Sequence, residues 1–207
     1  MRRRHFLTLS ASTLGVLAQD QKPVKIPLRF FTEDQALDVA AATARIFPAD
    51  ESGPGANEAG VVVYIDRQLA GPYGRDRYRY TQPPFETGIP EQGYQGKATP
   101  RDLYRAALPQ LKGLHLLTPT EQDAALTRIE KTAFFQMLKT HTIEGMFCDP
   151  MHGGNAGLTG WKLIGFPGPR MSYGDEVDRY HGREFRPAPL SLQQILGHPV
   201  KPSEDEA

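Results

Sequence analysis

The residues best suited to chemistry crowd into one short stretch. His141 and Glu144 stand at i and i+3, and Asp149 and His152 follow closely. Imidazole and carboxylate groups at that spacing could hold a divalent metal that activates water, the mark of a metal-dependent hydrolase. The pattern is short, and His115, His181 and His198 add no supporting spacing. Cys148, the single cysteine, lies in the same stretch. It could be a nucleophile or a redox switch. The adjacent Asp149 disfavours a thiolate, so a small buried apolar side chain is the better reading. A different chemistry is suggested by Tyr73, Tyr78, Tyr80, Tyr94 and the single tryptophan, Trp161, whose rings could stack on a sugar. A periplasmic sugar-binding protein would use them so, but this chain is short and helical for a two-lobed cleft.

Composition narrows these options. The chain has 207 residues, which suits one domain. Lys plus Arg number 24 and Asp plus Glu number 24, so no basic excess is available for nucleic acid. Apolar residues make up 39 %, with 20 glycines and 18 prolines, which implies a modest core and much loop. One cysteine rules out an internal disulfide framework and a cysteine-rich metal or iron–sulfur site. The chain contains no G-x-G-x-x-G, P-loop, C-x-x-C-H or H-E-x-x-H motif. No cofactor is therefore expected in this chain.

The opening MRRRHFLTLSASTLGVLA reads as an export signal. Arg3 and Arg4 are followed at the right spacing by Phe6 and Leu7, the arrangement of a twin-arginine leader. The apolar stretch from Leu7 to Ala18 is shorter than the roughly 20 residues needed to span a bilayer. A small residue, Ala18, ends it before polar Gln19 and Asp20, which suits cleavage. Loss of Arg2, Arg3 and Arg4 with the leader would leave a net charge of −3. The twin-arginine route carries folded cargo. A chain with that address and no cofactor motif suggests that the cargo includes a partner.

The elements that must position the central stretch are mostly helical. After a polar lead at 19–29, Thr32 and Gln35 form a capping box, and Ala36, Leu37, Ala40, Ala44 and Phe47 follow at helical spacing. Asn57 is a cap candidate for a segment with Val62, Ile65 and Leu69 on one side. Its β-branched start could be a strand, but Asp66–Leu69 continues the helical pattern. Residues 71–98 form a long Gly/Pro/Tyr/Arg-rich loop. Thr99 opens another helix, with Leu103, Ala107 and Leu111 on one face and Pro109 as a kink or stop. Thr118-Pro119-Thr120-Glu121 opens a helical pattern that continues through Ala125, Ile129, Ala133, Phe135, Leu138 and Thr142 to Phe147. Residues 145–174 are too rich in glycine for regular helix, and a short helix is expected at 191–197. The polar end, 202–207, reads as disordered. The predicted fold is mainly α: a single-domain bundle of four to five helices with long Gly/Pro-rich loops.

The glycine-rich stretch has its own physics. Gly153-Gly154-Asn155 suits a turn with positive φ, and Asp149 suits capping of the N–H groups such a turn exposes. Trp161 offers a large apolar face with one donor. Gly165-Phe166-Pro167-Gly168 presents an aromatic ring on a stiff turn. Two roles are open to this stretch: contact with a partner, and folding back over its own helices with Trp161 in the core.

Its order, Glu144-Gly145-x-x-x-Asp149-Pro150-x-x-Gly153-Gly154-Asn155 and then Gly160-Trp161-Lys162-x-Ile164-Gly165-Phe166-Pro167-Gly168, resembles the hallmark of the gluconate 2-dehydrogenase subunit 3 family. Phe30-Phe31-Thr32, Ile46-Phe47-Pro48 and Tyr64-Ile65-Asp66 are similar to that family too. His152 and Cys148 depart from it, standing where an aromatic and a small residue are usual. The resemblance covers about 30–173 and implies a division into a leader at 1–18, a lead at 19–29, a helical domain at 30–173 and a tail at 174–207. It implies a non-catalytic small subunit whose large partner, of the glucose–methanol–choline type, binds FAD and oxidises a sugar or sugar acid. A multihaem cytochrome c subunit takes the electrons in that family. The resemblance also implies a periplasmic location reached by co-export with the flavin subunit, with membrane contact only indirect, through partners.

Overall fold

Threonine hydroxyls start four of the helices. In the computed structural model, which describes residues 6–8, 25–77, 83–86, 88–92, 96–170 and 172–197, the Thr32, Thr99, Thr118 and Thr132 hydroxyls each accept a backbone N–H three residues on. The first three are full capping boxes, closed by Gln35, Asp102 and Glu121. They begin α1 (Glu33–Ile46), α3 (Pro100–Leu111), α4 (Pro119–Ile129) and α5 (Ala133–Phe147). Between them lies α2 (Val61–Ala70). Three shorter helices follow: α6 (Thr159–Ile164), α7 (Gly174–Tyr180) and α8 (Leu192–Gly197). At the N-terminus β1 (Phe6–Thr8) pairs antiparallel with β2 (Lys25–Pro27), Leu7 opposite Ile26. The fold is mainly α, as the sequence predicts. Arg3 and Arg4 lie outside the described residues, as do Tyr78, Tyr80, Tyr94 and the stretch 198–207. Among the described residues no helix is long and apolar enough to cross a membrane.

Helix α2 is the axis of the core. Val61 through Asp66 and Leu69 are all buried, so the helix is covered on nearly every side, packed against α1 and α5. Its β-branched start is helical because tertiary burial outweighs the small intrinsic preference for strand. The start is set by Gly60 in the left-handed region (φ 70°) and not by Asn57, which is exposed. The helical pattern after Thr118 is broken at 130–132, where Thr132 caps a new helix, so one expected helix is two. Pro109 sits inside α3 without ending it.

The buried faces are turned slightly from those expected. In α1 they run through Ala36, Val39, Ala42 and Thr43, leaving Leu37 exposed; in α3 Tyr104, Ala107, Leu108 and Leu111 point inward. The segment 145–174, expected to lack regular helix, holds α6 between turns. Gly145 itself belongs to α5.

Two buried carboxylates fasten loops to this core. Asp66, 1 % exposed, accepts the N–H groups of Arg29 (2.8 Å), Phe30 (2.9 Å) and Phe31 (2.9 Å). Asp38 on α1 accepts the N–H groups of Gly113 (3.1 Å) and His115 (3.2 Å) and bonds His115 Nδ1 at 2.6 Å. Charge-assisted bonds to backbone donors are stronger than neutral ones, and they hold the lead before α1 and the turn after α3. Asp66→Ala is expected to leave three donors unpaired and cost about 3–5 kcal/mol of stability in urea denaturation; Asp66→Asn should cost about half as much.

Candidate functional site

The glycine-rich stretch lies across the C-terminal end of α5, and its backbone comes close enough to exclude side chains. A Cβ on Gly154 would stand 2.2 Å from the Gly145 carbonyl oxygen, and one on Gly160 would stand 1.9 Å from that of Met146. Neither position admits even alanine without backbone movement. Asn155, fully buried and in the left-handed region (φ 46°), stitches the crossing together. Its N–H donates to Gly145 O (2.8 Å), its Nδ2 to Cys148 O (2.9 Å), and its Oδ1 accepts the Gly160 N–H (2.8 Å). Asparagine offers both an acceptor and a donor and tolerates that backbone conformation, so one residue meets all three demands.

Trp161 turns inward. It is 4 % exposed, its Nε1–H donates to Phe147 O at 2.7 Å, and Phe166 packs edge-on against it, with centroids 5.0 Å apart. The bond satisfies a carbonyl left over at the end of α5. Asp149 is also fully engaged: Oδ1 accepts the Met151 N–H (3.0 Å) at the turn begun by Pro150, and Oδ2 accepts the Leu192 N–H (2.7 Å). The second bond draws the tail across the stretch. Pro167 O receives the Leu190 N–H (3.2 Å), and Gly168 (φ 91°) lies so close to the Leu190 carbonyl that a Cβ would not fit. Gly153 (φ 102°) sits beside the Arg67 side chain. The outer surface is left to Lys162, Ile164, Gly165 and Phe166. A groove of about 620 Å³ lies there, lined by Trp161, Ile164, Phe166, Phe185 and Pro187.

Before the crossing, α5 carries a polar network that the sequence did not reveal. His141, 1 % exposed, bonds the Tyr73 hydroxyl through Nε2 (2.8 Å) and the Tyr104 hydroxyl through Nδ1 (2.9 Å). Tyr104 is fully buried and has no second acceptor among the described residues, so its hydroxyl must donate to Nδ1. The assigned tautomer therefore carries its proton on Nε2 and donates to Tyr73, whose ring reaches the surface. One turn further on, the Tyr64 hydroxyl donates to Glu144 Oε2 (2.9 Å). Burial holds the Tyr64 and Tyr104 hydroxyls far above their ordinary range and pushes Tyr73 up to about 12, Glu144 adding to each. Burial alone pushes His141 down to about 4. The three tyrosines and His141 are therefore neutral at physiological pH.

These contacts answer the metal hypothesis. Both His141 nitrogens are held by tyrosines, Glu144 is bonded by Tyr64, Asp149 holds backbone, and His152 is exposed. The four do not converge, and among the described residues no group of three His, Cys, Asp or Glu is placed to hold a metal. Cys148 is half-buried, with its thiol 3.8 Å from Gly145 O, and burial, reinforced by Asp149, pushes it up to about 11. A protonated thiol is a poor nucleophile. Sequence reasoning missed Tyr64 and Tyr104 as His141 and Glu144 partners. Their pairing joins α2, α3 and α5, and no local spacing encodes it.

Two outcomes follow. Unfolded imidazole titrates near 6.5, above the native value, so the unfolded chain binds the extra proton. Stability should therefore be full above about pH 6.5 and fall by about 3 kcal/mol as pH drops toward 4; His141→Gln should flatten that slope in pH-dependent denaturation. Trp161→Ala removes an inward ring and its bond to Phe147, and should cost about 3–5 kcal/mol of stability, read as a lowered midpoint in the same experiment.

Comparison with known proteins returned one family. No curated protein and no solved structure matched. The model of the family described as gluconate 2-dehydrogenase subunit 3 matches residues 33–168, from the first residue of α1 to the glycine that meets Leu190. That span contains all five longer helices and the whole crossing over α5, and it covers well over half of the chain; the protein belongs to the gluconate 2-dehydrogenase subunit 3 family.

Proposed function

We propose that this chain is the non-catalytic small subunit of an exported, FAD-dependent dehydrogenase complex that oxidises a sugar or sugar acid. Family membership carries the reading: the family is named for a subunit of a dehydrogenase complex, which implies a larger catalytic partner. The chemistry of the glycine-rich stretch supports it. Asp149, Asn155 and Trp161 bond this chain's own backbone, and the glycines allow close approach, so the stretch builds a rigid surface.

In this reading the flavin and any haem c belong to other subunits. This chain contributes stability, assembly and a twin-arginine address carried by Arg3, Arg4, Phe6 and Leu7. The outer residues of the glycine-rich stretch, Lys162, Gly165 and Phe166, together with the 71–98 loop, face the flavin subunit. The complex works in the periplasm and meets the inner membrane only through partners.

Replacing Arg3 and Arg4 with lysine tests the address. The dehydrogenase activity should move from the periplasmic to the cytoplasmic fraction, while total flavoprotein folds normally. Activity that remains periplasmic would remove the export role. Turnover of a sugar by the purified chain alone would overturn the whole reading.

A further inference from the structure

The described surface carries a cationic platform whose arginines form no ion pair among the described residues. Arg101 and Arg105 stand at i and i+4 on α3, and both guanidinium groups lie over one ring, Phe30, at 5.4 and 5.6 Å from its centroid. Arg75 adds a third positive charge nearby, its Nη2 donating to the Ala70 carbonyl at 3.4 Å. Among the described residues none of the three has a carboxylate partner. The charge of Asp102 acts on Arg101 and Arg105, but its Oδ2 is taken by the Thr99 N–H (3.1 Å) and hydroxyl (2.7 Å) as the helix cap. Arg101 Nε is buried with no acceptor. Burial, then the charges of Arg105 and Arg75, hold the Arg101 guanidinium below its ordinary value.

Gathering like charges and leaving a buried donor unpaired destabilises the free chain. A bound carboxylate would relieve both. We propose that Arg101 and Arg105, seated on Phe30, form a docking platform for an acidic segment of the large partner subunit. Phe30 is fixed from behind because the Asp66 carboxylate holds the Arg29, Phe30 and Phe31 N–H groups. The platform is thus ordered before the partner arrives, which lowers the entropic penalty of docking. Planar guanidinium groups take carboxylates bidentately, and arginine with aromatic residues is the usual composition of an interface centre. An aromatic-backed pair at the surface suits a protein segment, which adds contacts around each carboxylate, better than a free anion, which needs an enclosing site.

The inference rests on the subunit reading, and one experiment separates the two. The tagged full-length chain and its Arg101→Gln/Arg105→Gln variant are expressed in the native host. Retained flavoprotein is measured by flavin absorbance and identified by mass spectrometry. The variant should retain about tenfold less flavoprotein than the unaltered chain, with a melting temperature that is not lowered, and Arg101→Lys/Arg105→Lys should fall between. Raising salt from about 0.1 to about 0.5 M should release flavoprotein from the unaltered chain. Equal retention by both chains overturns the platform and leaves the subunit reading intact. No flavoprotein on the unaltered chain removes both. If the double variant melts early, the exposed single change Arg105→Gln decides, with at least a threefold loss expected and no loss overturning the proposal.

Discussion

Backbone takes the place of side chains where the glycine-rich stretch crosses the end of α5. Carbonyls of Gly145 and Met146 meet the backbone at Gly154 and Gly160 at distances that no Cβ would permit, and Asn155 closes the contact with three hydrogen bonds. The end of a helix is polar and its last carbonyls need donors. Here Asn155 Nδ2 supplies Cys148 O, the Trp161 indole supplies Phe147 O, and the Asn155 N–H supplies Gly145 O. Once these are satisfied, the core beneath can be apolar, and α2 can press Val61 and Tyr64 against Gly145, where a side chain would hold the helices apart. The packing of α2 on α5, and with it the core, follows from that crossing.

The same economy of polar groups explains how loops are held. Asp66 gathers three consecutive backbone donors, and Asp38 gathers two with an imidazole. A buried carboxylate is costly alone, but it becomes favourable when several donors converge on it and its charge is shared among them. In a chain rich in glycine and proline, helices cannot absorb every loop, so side chains on the helices must. Asp149 extends the principle past the end of the family match, because one of its oxygens draws in the tail at Leu192.

Local rules were legible where the physics is local. The capping boxes at Thr32, Thr99 and Thr118 are complete within four residues, and the structure places helices after each of them. Thr132 escaped notice because no acid or amide follows at N3, and the apolar pattern runs on through the break; its hydroxyl alone starts α5. Asn57 looked like a cap, but Gly60 in the left-handed region begins α2, a choice made by the chain's path and not by side-chain chemistry. The inward faces of α1 and α3 were misread by about one residue because Asp38 and Tyr104 look polar in sequence, and burial depends on partners supplied by other elements. The glycine-rich stretch was legible as a turn. Its inward Trp161 could not be decided from sequence, since an indole serves a core and an interface equally well.

The polar residues near the end of α5 therefore carry a different meaning from the one their spacing first suggested. His141 and Glu144 are one turn apart, yet each is claimed by hydroxyls from separate helices: Tyr104 of α3 and Tyr73 of the loop for the imidazole, Tyr64 of α2 for the carboxylate. A base able to accept protons in catalysis would need to be near its ordinary value and open to a substrate. His141 is neither, being buried and pushed down to about 4. What the arrangement does is join three helices through groups that exclude water and hold fixed directions. The tyrosine–histidine lattice fixes α5 against α2 and α3, and the buried Asp66 fixes the lead at Phe30, so in both places the position of a loop or helix is set by polar groups that the core encloses.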